Sequence, residues 1–290
     1  MNFFPGFQRQ TVQTSGTSIN VLAGGSGPPV LLLHGYPQTH LEWRKIVPEL
    51  AKSYTLVAPD LRGYGDSGKP TGGDNHVNYS KRAMALDQVE VMEKLGFKQF
   101  AVVSHDRGAR VAHRLALDHS DRLIKVVLMD ICPTHYIYKT ADRQLATSYF
   151  HRFFLIQPAP FPETLIGNNV DAVLKQFMGP VMPQSIEPEA YAEYRRCFSD
   201  PATIHASCED YRAAATIDLV HDEADMDRKI ACPVLVLWSA NGIVGKKYDV
   251  LAVWRERATE VSGKSLPCGH WLAEEAPGEV LAEVRRFLTA

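Results

Sequence analysis

Cysteine is scarce and unpatterned: Cys132, Cys197, Cys208, Cys232 and Cys268 are odd in number, widely scattered and form no C-x-x-C pair. That excludes a disulfide scaffold and fits buried or free thiols in a reducing, cytoplasmic compartment. An excess of positive charge is also missing, since 31 Lys and Arg stand against 33 Asp and Glu for a formal charge of −2. Without a basic face to neutralise a phosphate backbone, nucleic acid is not an expected partner. No stretch approaches the eighteen or so apolar residues of a membrane span, and Met1-Asn2-Phe3-Phe4-Pro5-Gly6 has neither a basic start nor a cleavable apolar segment. Membrane association and export by a visible signal are therefore not expected. Internal repeats, heptad arrays and low-complexity linkers are absent as well. What remains is 290 residues that are 45% hydrophobic, enough to bury roughly three quarters of the unfolded surface without a disulfide or metal staple.

Short β-branched runs alternate with longer amphipathic segments, the pattern of an α/β protein with a mostly parallel sheet covered by helices on both faces. Strands are predicted at Pro29 to His34, Tyr54 to Pro59, Phe100 to Ser104, Lys125 to Asp130, Pro233 to Trp238 and Glu260 to Leu266. Helices are predicted at Arg82 to Leu95, stopped by Gly96, and at Arg107 to Asp118, where Val111, Ala112, Leu115 and Ala116 form one apolar stripe. From about Pro133 to Arg228 the rhythm changes to aromatics, prolines and helix-sized mixtures such as Glu187 to Phe198. This reads as a helical unit, 134–228, inserted into a core of 1–133 and 229–290. Within it, Pro158-Ala159-Pro160-Phe161-Pro162 marks a turn or an extended crossing.

The segment Val102-Val103-Ser104-His105-Asp106-Arg107-Gly108-Ala109-Arg110 runs from a strand through a turn among small residues into a helix. Such an elbow exposes one side chain above the sheet, while the next backbone N–H, at the helix start, can face developing negative charge. The exposed residue is Asp106; read alone, it is more readily an Asp that caps the helix at Arg107, a reading the other motifs reverse. His34-Gly35-Tyr36-Pro37 follows the first predicted strand, where a tight turn can aim the Tyr36 N–H at the same point. Asp60-Leu61-Arg62-Gly63-Tyr64-Gly65-Asp66-Ser67 follows the second, and its glycines suit a compact loop. Cys268-Gly269-His270-Trp271 lies after the last strand, in position to carry a general base.

In this order the motifs resemble the aspartate-nucleophile branch of the α/β-hydrolase superfamily, which includes haloalkane dehalogenases, epoxide hydrolases and haloacetate dehalogenases. The resemblance spans essentially the whole chain and implies an α/β-hydrolase fold with a helical cap. Asp106 is then the nucleophile, His270 the base, and the N–H groups of Tyr36 and Arg107 the oxyanion hole. Ser239-Ala240-Asn241-Gly242-Ile243-Val244 offers no carboxylate after the strand ending near Trp238. The orienting acid is therefore expected at Asp130, as haloacetate dehalogenases arrange it; its alternative is a strand-end carboxylate tied to local N–H groups.

Haloalkane dehalogenases and many epoxide hydrolases place Trp directly after the Asp, whereas this chain has Arg107, with Arg110 one turn later. Asp-Arg-Gly-x-Arg is similar to fluoroacetate dehalogenases, and the resemblance implies that both guanidinium groups grip a substrate carboxylate. The same family takes halide donors from a cap His, an adjacent Trp and a distant Tyr. Here His151 and Tyr211 match, while Arg152 stands in the place of the Trp. Arg152, a candidate halide-binding residue with His151 and Tyr211, could point inward and add positive charge, but it is expected to point into solvent, leaving a roomier site suited to chloride or bromide more than fluoride. The reaction implied is hydrolysis of a small haloacid to glycolate and halide, with no metal or cofactor, in a homodimer. An epoxide hydrolase using the same Asp, His and Asp is the alternative, and a silent fold that merely binds a small acid is a third reading.

Overall fold

Each of the six strands expected from the sequence is present, and two more precede them in the chain. The computed structural model describes residues 3–182 and 184–290. The strands are β1 Gln8–Gln13, β2 Ser18–Gly25, β3 Pro29–Leu33, β4 Thr55–Pro59, β5 Phe100–His105, β6 Leu123–Met129, β7 Val234–Ser239 and β8 Val261–Leu266. They form one sheet in the order β1-β2-β4-β3-β5-β6-β7-β8. The β1–β2 and β2–β4 pairs are antiparallel and all the others parallel.

Period-two alternation divides the core between the two faces of the sheet. Leu31, Leu33, Val102, Val126 and Leu128 pack on one side with Met84 and Val89 of the helix Lys81–Lys94 and Val111 and Leu115 of the helix Asp106–Asp118. Val30, Leu32, Val103, Val127 and Leu235 face the other side, against Trp43, Leu50, Leu272 and Val280. Burial of each Val or Leu side chain contributes about 1.5–3 kcal/mol, so the central strands, β5 most of all, are pinned from both faces. Gly96 follows the helix Lys81–Lys94 with φ +87°, the left-handed conformation that ends a helix at little cost when the residue is glycine.

β1 and β2 were not expected. Only Val12 of Gln8–Gln13 is buried, so this edge strand carries too few apolar side chains to announce itself; hydrogen bonding to β2 holds it. Between β6 and β7 the described residues contain helices and no strand, from Thr134–Lys139 to Ile217–Ala224. Glu187 proves to be the N-cap of the helix Pro188–Phe198. The proline-rich run turns at 157–160, but Pro162 enters the first turn of the helix Phe161–Gly167, where its missing N–H leaves nothing unpaired. No helix among the described residues is long and apolar enough to cross a membrane.

Candidate functional site

The parallel strands β5, β6 and β8 all end on one edge of the sheet, and the polar residues that follow them meet there. Asp106 leaves β5 with φ +44° and opens the helix Asp106–Asp118. A non-glycine residue held in this region costs about 1–3 kcal/mol, a strain the surroundings enforce. The Gly108 N–H donates to the His34 carbonyl at 2.9 Å, and a Cβ on Gly108 would lie 2.3 Å from the Leu33 carbonyl oxygen. Only glycine allows so close an approach. Asp106 is 8% exposed, and the Tyr36 N–H donates to its Oδ1 at 3.0 Å. The Arg107 N–H lies in the first helical turn, among donors that have no partner within the helix.

Asp130 follows β6 with φ +51°. Its Oδ1 accepts the Ser239 N–H at 2.9 Å, and its Oδ2 lies 2.6 Å from His270 Nδ1. A carboxylate at Nδ1 fixes the proton there and leaves Nε2 as the basic nitrogen. That Nε2 is 4.0 Å from Asp106 Oδ2. The structure thus brings Asp106, His270 and Asp130 together, and Asp130 serves the imidazole as well as a local backbone N–H. Burial alone would raise the Asp106 pKa, but His270, His105, Arg107 and Arg110 together hold it well below the usual carboxylate range.

The arginines differ from expectation. Arg107 is fully buried and already bound to Asp210: Nε donates to Oδ2 at 2.8 Å, while Nη2 donates to Oδ1 at 2.7 Å and to the Asp210 carbonyl at 2.9 Å. Lys81 and the Tyr64 hydroxyl also reach Asp210. Only Nη1 of Arg107 is left buried without a partner. Arg110 gives Nη1 to the Cys132 carbonyl at 3.1 Å and to Thr134 Oγ1 at 3.0 Å, leaving Nε unpartnered. Its pKa is lowered to about 10 by burial and by the repulsion of Arg152 and Arg107.

Arg152 does not point into solvent. It is 2% exposed, with Nε and Nη1 buried and unpartnered and its guanidinium 5.6 Å from each of the Tyr138 and Tyr149 ring centres. The short helix Phe150–Leu155 carries it inward, near the Tyr138 and Tyr149 rings and within electrostatic reach of Arg110 and His151. The expectation failed because an Arg in the place of a Trp does not announce which aromatic faces the fold will set around it.

Around these charges stand aromatic rings. Tyr211 lies over the Arg107 guanidinium, 4.1 Å from its ring centre, and burial followed by Asp106 raises its pKa. His151 is lowered to about 3 by burial and by Arg152, so its neutral ring can donate one N–H. Tyr36 and His151 also line an apolar cavity of about 200 Å³ with Phe154, Leu155, Ile166 and Phe177. Sequence reasoning missed Asp210, which nothing but its adjacency to Tyr211 could have suggested, and Glu42 with its partner His105, whose pairing is purely tertiary. Among the described residues no group of three or more His, Cys, Asp or Glu side chains is arranged to hold a metal ion.

Residues 28–277 match the alpha/beta hydrolase fold family. The chain is 43% identical to a fluoroacetate dehalogenase from Burkholderia sp over 289 residues, covering 99% of this chain and 95% of that one. It is 33% identical over 281 residues to a soluble epoxide hydrolase from Corynebacterium sp. (strain C12), covering 94% of each. A crystal structure of a candidate alpha/beta hydrolase from Nostoc sp PCC 7120 superposes with a TM-score of 0.96 at 61% identity and covers 98% of both chains. With an eight-stranded sheet in this order and a strained acidic elbow at its carboxyl edge, the chain belongs to the α/β-hydrolase family of enzymes.

Proposed function

We propose that the protein hydrolyses haloacetates to glycolate and halide, with residues 134–228 acting as a cap over a core of 1–133 and 229–290. One observation carries this reading. Beside the Asp106 carboxylate, Arg107, Arg110 and Arg152 hold buried N–H groups that no protein atom satisfies. Each such group costs about 1–3 kcal/mol if left unpaired, and a small carboxylate with a departing halide would satisfy them. A neutral substrate would not. The fluoroacetate dehalogenase relative agrees with this choice.

In the proposed reaction the substrate carboxylate binds Arg110 and the free Nη1 of Arg107, which sets the α-carbon in line with an Asp106 oxygen. That oxygen forms a bond to carbon as the carbon–halogen bond breaks, and the halide leaves with the electron pair toward His151, Arg152 and Tyr211. The product of this step is an Asp106 ester. His270, oriented by Asp130, takes a proton from water, and the hydroxide adds to the ester carbonyl while the N–H groups of Tyr36 and Arg107 hold the oxyanion. Collapse expels the glycolate alkoxide, which recovers the proton from His270. A carboxylate suits this task because it attacks saturated carbon without prior deprotonation and forms an ester that water can cleave.

Halide release from chloroacetate, bromoacetate and fluoroacetate tests the activity, with Asp106→Asn as the inactive control. In a single turnover in heavy-oxygen water, the label is expected in Asp106 and not in glycolate; label appearing directly in glycolate overturns the ester route. A second reading, epoxide hydrolysis, draws on the half-buried Tyr149 and the buried Tyr211, two phenols in the electrostatic reach of Asp106, and on the Corynebacterium relative. Faster turnover of a neutral epoxide than of any haloacetate would favour it.

A further inference from the structure

His105, the last residue of β5, is fully buried next to Asp106 and has no part in the chemistry above. Its Nδ1 lies 2.9 Å from Glu42 Oε1, and its Nε2 lies 2.8 Å from the His270 carbonyl oxygen. Both neighbours carry only acceptors, which favours an imidazolium, although the Nδ1 approach to Glu42 is an ion-pair distance without hydrogen-bond alignment. Glu42 is buried too, and its Oε2 accepts the Gly35 N–H at 2.9 Å. Gly35 precedes Tyr36 in the turn whose N–H meets Asp106, and a Cβ on Gly35 would lie 2.8 Å from the Asp106 Cβ. The pair Glu42 and His105 therefore ties the oxyanion turn, the elbow and the His270 loop into one unit. The ionisable groups facing the ring are Glu42, Asp106, Asp130 and His270, whose ring centre is 4.7 Å away. Burial alone would strip the proton, but Glu42 first, then Asp106 and Asp130, raise the pKa to about 9.

We infer that His105 is a positioning residue held as an imidazolium, and that the Glu42–His105 pair fixes Tyr36 N–H and His270 for the ester-hydrolysis half of the proposed reaction, on which this inference rests. Glu42→Gln keeps the shape but removes the charge that holds the proton, so the oxyanion turn and the base loop come loose from each other. Alkylation of Asp106 needs no activated water and is slowed less than hydrolysis of its ester.

Two measurements test this. The nitrogen-15 resonances of the imidazole ring in the wild-type protein, assigned by difference against His105→Gln, are expected to show both His105 nitrogens protonated at pH 7.5. A neutral ring at that pH overturns the inference. With chloroacetate, Glu42→Gln is expected to release a burst of about one chloride per site and then to turn over about a hundredfold slower than wild type, with the Asp106 ester visible by mass spectrometry. Unchanged kinetics, or equal slowing of halide release and glycolate formation without an ester, overturns it. Should the wild type release no halide from any haloacetate, the dehalogenase reading fails, while the resonance measurement still decides the charge on His105. That measurement also needs no folded Glu42 variant.

Discussion

Replacing Arg152 by Met should make the protein more stable and less active at once. The guanidinium is almost wholly buried, has two unpartnered nitrogens, and forms no ion pair with any described carboxylate. Its compensation is the pair of tyrosine faces at 5.6 Å, near the outer limit of a cation–π contact and each worth about 0.5–1 kcal/mol. Against this stand the unsatisfied donors, at about 1–3 kcal/mol each, and the desolvated charge itself. Methionine has similar length and no polar atom. Arg152→Met should therefore stabilise the substrate-free protein by about 2 kcal/mol, a rise in Tm of about 3 °C for a chain of 290 residues. Turnover of chloroacetate should fall by about a hundred- to a thousandfold, the loss typical when one preorganised donor to developing charge is removed. Thermal melts with and without glycolate, beside halide-release assays, measure both effects, and glycolate should raise the Tm of the wild type more than that of the variant. A variant that melts several degrees lower yet turns over normally would refute the reasoning, since Arg152 would then be a structural cation with no anion to serve.

Asp210→Asn removes the buried partner of Arg107 and Lys81; the expected loss is about 3–5 kcal/mol, read by chemical denaturation, and a change below 1 kcal/mol would disprove the electrostatic role given to Asp210. Gly108→Ala should destabilise by about 3 kcal/mol or more, because its Cβ meets the Leu33 and His34 carbonyl oxygens at 2.3 and 2.5 Å; normal stability would mean the elbow is less tightly enclosed. Stability should peak near pH 6.5 and fall on both sides through different histidines. His105, raised to about 9, contributes fully below its unfolded value near 6.5, and that contribution is lost as pH rises toward about 9. His151 and His113, both lowered to about 3 and buried neutral, contribute above about 6.5 and lose it as the pH drops toward 3. Denaturation curves across pH with His105→Gln and His151→Gln should flatten the alkaline and acid flanks respectively; an unaltered alkaline flank in His105→Gln would count against its raised pKa.

What the sequence reveals depends on whether the information is local. β3 and β5 are uninterrupted apolar runs because helices cover both faces, so their positions are readable within a residue. Asp106 and Asp130 could be located because each follows such a run and thus stands on the carboxyl edge. β1 escapes because an edge strand held by hydrogen bonds to β2 needs few apolar side chains. Arg107 and Arg110 sit on the same helix and were rightly placed near each other, yet the acid that claims Arg107 is Asp210, 103 residues away. Separation in sequence also hides the pairing of Glu42 with His105, and the inward turn of Arg152 follows from packing that its residue type does not announce. Pairing between remote polar side chains leaves no period in the chain, and it is these pairings that decide which nitrogens remain free for a ligand.

The free nitrogens also explain how one anion could attack another. Asp106 and a haloacetate carboxylate would repel across a buried site; Arg107 and Arg110 both favour the Asp106 anion, but Arg107 is also paired with Asp210. Arg110 and Arg152 have no such carboxylate bound to them, so their positive charges oppose the added negative charge as the substrate enters. In the proposed reaction, displacement would convert Asp106 to a neutral ester and create one halide ion, so the sum would be unchanged. Charge moves from the carboxylate toward His151 and Arg152 without the site acquiring any, and the dipoles around it need little reorientation. A neutral epoxide would leave one cation uncompensated throughout, which is why the distribution of unpaired arginine nitrogens, more than the triad shared by both chemistries, discriminates between them.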